Sequence, residues 1–355
     1  MLLAGVIAFS LFAQQPEPPP LSIPITVNVV QDAVTVKDDS GSFVTNLKPS
    51  DFRLYDNEKP QDVQVDVTFL PISLVVAIQA SSDTDAVLPK IKKIGPLLQG
   101  VVTGDQGEVA ILCFDHRIQT LQDFTSDYGL INKAMEKLKT GSTSSRMIDA
   151  SMQAFRMLRN RPGDRRRVLL LISETRDNSS ENRVRDVLVE AQLNNTVVHS
   201  VNINRLITTL TARPLPPRPD PFPAGARPLP GNVPPTPEAT RGTVSSSANS
   251  ASFLPLFVEI FKQVKGIFID NPVEVFTKYT GGREHSFVTE KDLERAVDNI
   301  GEELHSQYLL SYRPNNKMDA GWHDIRVEVV DRTGRARNDV KIDSRPGYWM
   351  AAVPD

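Results

Sequence analysis

The sequence predicts an α/β fold in which a mostly parallel sheet, with helices on both faces, is carried between two β segments. Three observations predict it. Between Pro71 and residue 306, apolar strand-like runs alternate with stretches of helical spacing, as in "RRVLLLIS", "NRVRDVLVEAQLNN" and "TVVHSVNI". Those strand runs are four to seven apolar residues long, the pattern of strands buried on both faces. Before Pro71 and after residue 306 the period falls to two, with polar turn clusters between the runs.

Taken in order, the first 13 residues, "MLLAGVIAFSLFA", are apolar and lead into polar "QQPEPPP". A dozen residues are too few to cross a hydrocarbon layer of ~30 Å as a helix. A secretory signal peptide over residues 1–13, a linker over 14–21 and export to the periplasm or the cell exterior are therefore expected. Residues 22–70 read as hairpins turning at "DDSG" and "DNEKP". Within 71–306, the strand ending at Gln79 is followed by "AVLPKIKKIGPLLQGVV", helical in spacing although Pro89 and Pro96 interrupt it. Then come a strand "GEVAILCFD", a paired strand "RIQTLQDF" and helices in "DYGLINKAMEKLKT" and "MIDASMQAFRMLRN".

Residues 208–251 break the alternation. Eleven of the 27 prolines lie between Pro214 and Pro237, and a backbone short of N–H donors builds neither ladder nor helix. This stretch is expected to be a disordered insertion. Helical spacing returns in "LPLFVEIFKQVKGIF" and "NPVEVFTKYTGG", where Gly281 and Gly282 stand ready to end the second helix. "EHSFV" reads as a strand, and Thr289 before Glu290 and Asp292 as the start of a last helix. The segments 22–70 and 307–350 each have too few strands to bury a face, so they are expected to pack together as one small β-sandwich.

Composition narrows the function. The chain of 355 residues carries 40 Lys and Arg against 43 Asp and Glu, and without a basic patch it offers no footprint for nucleic acid. The single cysteine, Cys113, lies in the apolar run "EVAILCFD" and is expected to be inert packing. The histidines at 116, 199, 285, 305 and 323 are scattered, and no zinc, phosphate-loop or nucleophile-elbow motif is present. No catalytic residue can be nominated, and the chain is expected not to be an enzyme.

Ligands of open α/β sheets bind beyond the carboxyl ends of the strands. Three loops leaving that edge carry oxygen-bearing side chains: Ser81 and Asp83 after the first core strand, "GSTSSRMIDA" before a helix, and "ISETRDNSS" after "RRVLLL". Such an oxygen-rich set is what a hard cation such as Mg²⁺ requires.

The flanks carry a resemblance. "VTVKDDSGSFVTNLKPSDFRLYDNEKPQ", "TGGR" at Thr280 to Arg283, "QYLLSYRP", and "RPGY" at Arg345 to Tyr348 are similar to the motifs of the VWFA-related domain of exported bacterial proteins, a divergent von Willebrand factor A family. The similarity covers about residues 24 to 348 apart from the proline-rich insertion. It implies a metal-ion-dependent adhesion site of pattern D-x-S-x-S, with a Thr on the second loop and an Asp on the third. Here Gln79 replaces the leading Asp, Ser81 matches the first Ser, Asp83 replaces the second, Ser145 (or Thr143) takes the Thr position and Glu174 replaces the Asp. The expectation is a degenerate site of Gln79, Ser81, Asp83, Ser145 and Glu174 that binds another protein, with no cofactor required. Any divalent cation would have to be held by Ser81, Asp83, Ser145 and Glu174. A metal-independent scaffold of the cell envelope, acting through the sandwich or the proline-rich loop, is the alternative. Neither reading calls for a transmembrane segment in the mature chain.

Overall fold

The structure is a computed structural model that describes residues 29–66, 70–204, 271–315 and 321–350. The expected signal peptide and linker, the proline-rich insertion and the helix in "LPLFVEIFKQVKGIF" lie outside the described residues.

The centre is a six-stranded sheet of β5 (Ile72–Gln79), β6 (Glu108–Phe114), β7 (Ile118–Thr125), β8 (Arg166–Ser173), β9 (Thr196–Ile203) and β10 (Glu284–Phe287), ordered β10-β9-β8-β5-β6-β7. All neighbours run parallel except the edge strand β7, which turns back antiparallel on β6. Every residue of β5 is buried, as its unbroken apolar run requires of a strand covered on both faces.

One face is covered by α4 (Met147–Arg159), α5 (Val184–Leu193) and α6 (Pro272–Thr280), packing Phe155, Val187 and Phe276 against Val75 and Leu171. The other face is covered by α3 (Tyr128–Glu136), α7 (Glu290–Ser306) and a broken helical run over residues 88–103, packing Ile131, Val297 and Ile91 against Leu74 and Ile111. That run is a chain of short pieces, α1 (Leu88–Ile91), a 3-10 turn, α2 (Gly95–Leu97) and a π-type turn (Leu98–Thr103). The prolines explain the break: Pro89 and Pro96 sit in the first turns of α1 and α2, where a missing N–H costs nothing, and each forces a new start.

Thr289 caps α7 through a reciprocal capping box with Asp292. Gly281 ends α6 at φ +82°, a left-handed conformation that suits glycine. Gly282 is needed for a different reason: a β-carbon there would fall 2.0 Å from the Val198 carbonyl oxygen of β9. Gly282→Ala is expected to cost about 1–3 kcal/mol through this backbone clash, measurable as a lowered midpoint in urea unfolding.

The remaining strands form two antiparallel sheets. One contains β13 (Val340–Asp343), β1 (Val30–Asp38), β11 (Tyr308–Tyr312) and β4 (Val63–Asp66); the other contains β14 (Gly347–Met350), β12 (Gly321–Val329), β2 (Phe52–Asp56) and β3 (Lys59–Gln61). Their inner faces enclose Val34, Leu54, Tyr308, Leu310, Val329 and Met350 in one core. The β segments from the two ends of the α/β unit thus build a single flanking sandwich. The hairpin expectation holds at "DNEKP", where Asn57 and Glu58 both take positive φ between β2 and β3. At "DDSG" the return is a single bridge, Lys37 to Phe43, because β1 pairs along its length with β11 and β13 instead.

Polar contacts join sandwich and α/β unit. Arg283 pairs with buried Glu303 at 2.7 Å and also with Asp343 of β13. The Trp349 N–H donates to Gln192 Oε1, and the Tyr279 and Trp322 rings meet edge to face at 5.7 Å.

Candidate functional site

The loops leaving the carboxyl ends of β5 and β8 meet the α3–α4 connection, which passes the end of β6, at one rim, and hydrogen bonds lace the three pairwise. The Gly141 N–H donates to the Ala80 carbonyl at 2.7 Å and the Ser82 N–H to the Ser142 carbonyl at 2.8 Å, joining the first loop to the second. Ser145 N–H donates to Asn178 Oδ1 at 2.7 Å, and Ile148 N–H, at the start of α4, to Asp177 Oδ2 at 2.8 Å, joining the second to the third. The Glu174 N–H donates to Gln79 Oε1 at 2.9 Å, closing the third onto the first.

Gln79 is the hub of this arrangement. Its amide is buried, and the Glu174 N–H fixes which end of it is oxygen, so the NH₂ end must be the group that donates to Ser81 Oγ at 2.9 Å. Ser81 is fully buried, and Thr84 closes the turn by donating to the carbonyls of Gln79 and Ser81. Gln79, Ser81 and Glu174 are therefore brought together directly. Ser145 is placed on the adjoining loop with a buried hydroxyl that has no hydrogen-bond partner among the described residues. Asp83 is apart: it lies partly exposed in the turn Ser82–Thr84 and hydrogen-bonds to none of the other four.

Three carboxylates outside the expected site do the structural work of the rim. Asp149 accepts from Arg146 Nε, from the N–H groups of Glu181 and Asn182, and from Asn182 Nδ2. Burial pushes its carboxyl up, but these donors outweigh burial and hold it below the usual carboxylate range. Asp115 likewise is pushed up by burial and brought below the usual range by the N–H groups of Ser142 and Arg117 and by His116. A β-carbon on Gly141 would fall 2.0 Å from Asp115 Oδ2, which explains the glycine there. Asp177 accepts from Ser179 N, Ser180 N and Ser180 Oγ while it caps α4. The local signal was an Asp followed two and three residues later by Ser in "DNSS", the pattern of an Asx turn.

His116 faces both Asp115 Oδ2 and Ser142 Oγ at 2.9 Å, a trio of acid, imidazole and hydroxyl. Both contacts are made by the same ring nitrogen, Nδ1. Proton relay from serine to carboxylate needs the two different nitrogens, so the trio is a loop clasp. Burial, with Asp115 next, pushes the Cys113 thiol up to about 11, away from the thiolate that a nucleophile needs.

No protein-family profile matches the sequence, and no curated protein is similar enough to match it. Solved structures do show similarity. An aerotolerance-related membrane protein from Bacteroides fragilis is 16% identical with a TM-score of 0.40, over 65% of this chain and 99% of that one. BatB from Bacteroides thetaiotaomicron is 13% identical with a TM-score of 0.37, over 65% and 99%. The vWF domain of the type V pili tip protein Mfa5 from Porphyromonas gingivalis is 18% identical with a TM-score of 0.25, over 30% and 38%. The strand order, with its single antiparallel edge, is that of an open, mostly parallel α/β sheet. The α/β unit is similar to von Willebrand factor A-type domains. Among the described residues of the chain, no helix is long and apolar enough to cross a membrane.

The VWA-type rim does not fit the cation that such folds imply. Mg²⁺ requires six oxygens in near-octahedral array. Here the only oxygen of the Gln79 side chain is engaged by the Glu174 N–H, and an NH₂ group points at the Ser81 hydroxyl that a cation would need. Among the described residues, no three His, Cys, Asp or Glu side chains are grouped to hold a metal ion.

Proposed function

We propose that the protein is an exported, non-enzymatic binding module that recognises another protein through the rim of its VWA-type unit, without a cation. The observation that carries this reading is the Gln79 amide, which bridges the Glu174 backbone and the Ser81 hydroxyl and so joins by neutral hydrogen bonds what an ion would join by charge. A rim laced this way is ordered before any partner arrives, which lowers the entropic cost of docking. The degenerate adhesion site of Gln79, Ser81, Asp83, Ser145 and Glu174 then serves as the support of a contact surface.

Two measurements test the reading. Millimolar Mg²⁺ or Mn²⁺ is expected to leave the thermal midpoint unchanged, whereas an ion held ~100-fold more tightly than its concentration adds about 2.7 kcal/mol. A photo-crosslinking residue at exposed Thr143 on the rim is expected to capture a partner in the cell envelope with or without chelator. Adducts only from a crosslinker at Lys341, exposed on the sandwich, would favour the scaffold function instead.

A further inference from the structure

Beside the laced loops, on the side of the edge strand β7, lies an open cleft of about 310 Å³. Its floor is Ala80, Cys113, Phe114 and Leu121, and its walls carry Arg117, Lys137 and Lys139. These cations come from three places: the β6–β7 turn, the residue that ends α3, and the loop beyond it. All three side chains are exposed, and none makes an ion pair or a side-chain hydrogen bond among the described residues. The one carboxylate in the wall, Asp115, is already occupied by Ser142 N–H, Arg117 N–H and His116. Asp85, close by, accepts from Thr140 Oγ1 at 2.6 Å. The three cations outnumber the single lining carboxylate, so the cleft carries a net positive charge over a partly apolar floor.

We infer that this cleft receives an acidic, extended segment of a partner protein, its carboxylates set against Arg117, Lys137 and Lys139 and its backbone lying along β7. This deepens the proposed rim function by naming the chemistry of the partner, and it rests on that reading. Two observations favour a peptide over a small anion. Phosphate-type sites converge backbone N–H groups on one point, but here the Arg117 and Ser142 N–H groups are spent on Asp115 and the Gly141 N–H on the Ala80 carbonyl. The remaining cations are spread along a wall, as a row of carboxylates on a strand would require. In addition, β7 is the outer strand of its sheet and has only β6 as a partner among the described residues, and such an edge accepts an added strand. The chain's own residues 205–270 are a poor occupant by charge: they contain seven Lys and Arg against four Asp and Glu, so they and the cleft repel.

The test uses the full chain and a fluorescein-labelled decapeptide rich in Glu, followed by anisotropy at low and physiological salt. Binding is expected to weaken with salt, to vanish for the Gln version of the peptide, and to fall at least ~10-fold in Lys137→Glu/Lys139→Glu. Arg117→Gln, which removes a single charge, should fall less. Lys59→Glu/Lys341→Glu, the same charge change placed on the sandwich, should bind as the parent does. Equal loss in both double variants would reduce the effect to net charge and overturn the inference. So would displacement of the peptide by inorganic phosphate at concentrations where chloride has no effect, which would make the cleft a small-anion site. If Thr143 crosslinks persist unchanged in Lys137→Glu/Lys139→Glu, the cleft assignment falls and the rim function stands. If the Glu peptide binds the cleft but Thr143 captures nothing, the rim function falls and the partner assignment falls with it.

Discussion

Asp56→Ala is expected to destabilise the sandwich by about 3–5 kcal/mol, more than any single change on the rim. Asp56 is fully buried at the end of β2. Its Oδ2 accepts from the hydroxyls of Tyr312 at 2.9 Å and Tyr348 at 2.8 Å, and its Oδ1 meets His323 Nδ1 at 2.6 Å. Tyr312 belongs to one sheet while His323 and Tyr348 belong to the other, so one carboxylate pins both. Burial, reinforced by Asp56, pushes both tyrosine hydroxyls far above their ordinary range, keeping them as donors. Truncation leaves three buried polar groups without their acceptor, which costs more than the bonds themselves contribute. The only tryptophans, Trp322 and Trp349, sit in β12 and β14, so intrinsic fluorescence reads this loss. The midpoint should fall on the order of 10 °C. Asp56→Asn, which keeps an acceptor and the volume, should lose clearly less; equal losses would assign the effect to the charge rather than to the lost acceptor.

The second large effect is acid sensitivity, and two buried groups pull it in opposite directions. His199, on β9, is fully buried, with Nδ1 accepting from the Arg283 N–H. Burial first, then His285, Arg166 and Arg283, lowers its pKa to about 3. The unfolded chain therefore binds a proton from about pH 6.5 downward that the folded chain refuses until about pH 3, and stability falls across that window by about 5 kcal/mol in total. Asp32 has the other sign. Burial raises its pKa to about 6 against the attraction of Arg345, so between about pH 6 and 3.8 the folded chain binds the extra proton and gains about 3 kcal/mol. Over that shared range the two slopes nearly cancel, and below about pH 3.8 only the loss remains. Asp32→Asn removes the compensating slope. In thermal scans from pH 7 to 4, the variant should lose stability steadily where the parent stays nearly level; parallel curves would contradict the assignment.

Local pattern accounts for what the sequence revealed. The α/β alternation, the Thr289 cap and the Gly281 stop depend on neighbours within a turn or two, and all appear where the residues place them. The partner of β1 could not be read, because the apolar positions Val30, Val34 and Val36 state which face is buried but not which distant strand covers it. Asp56 illustrates the same boundary: within "YDNEKP" it reads as a turn former, and only the pleat, with Phe52 and Leu54 inward, carries it into the core. On the rim, the oxygen-rich loops could be marked from "GSTSSR" and "ISETRDNSS". The division of labour between Asp149, Asp177 and Gln79 depends on which N–H groups the loops leave open, and that is a property of the assembled fold.

The pairing of β1 with β11 and β13 also has a consequence for biogenesis. Val34 lies opposite Tyr308 and Val36 opposite Ile342, so a ribosome releases the first strand long before its mates. During that interval the nascent chain can complete the VWA-type layer while an orphaned β-ribbon waits outside it, vulnerable to proteases and to illegitimate pairing.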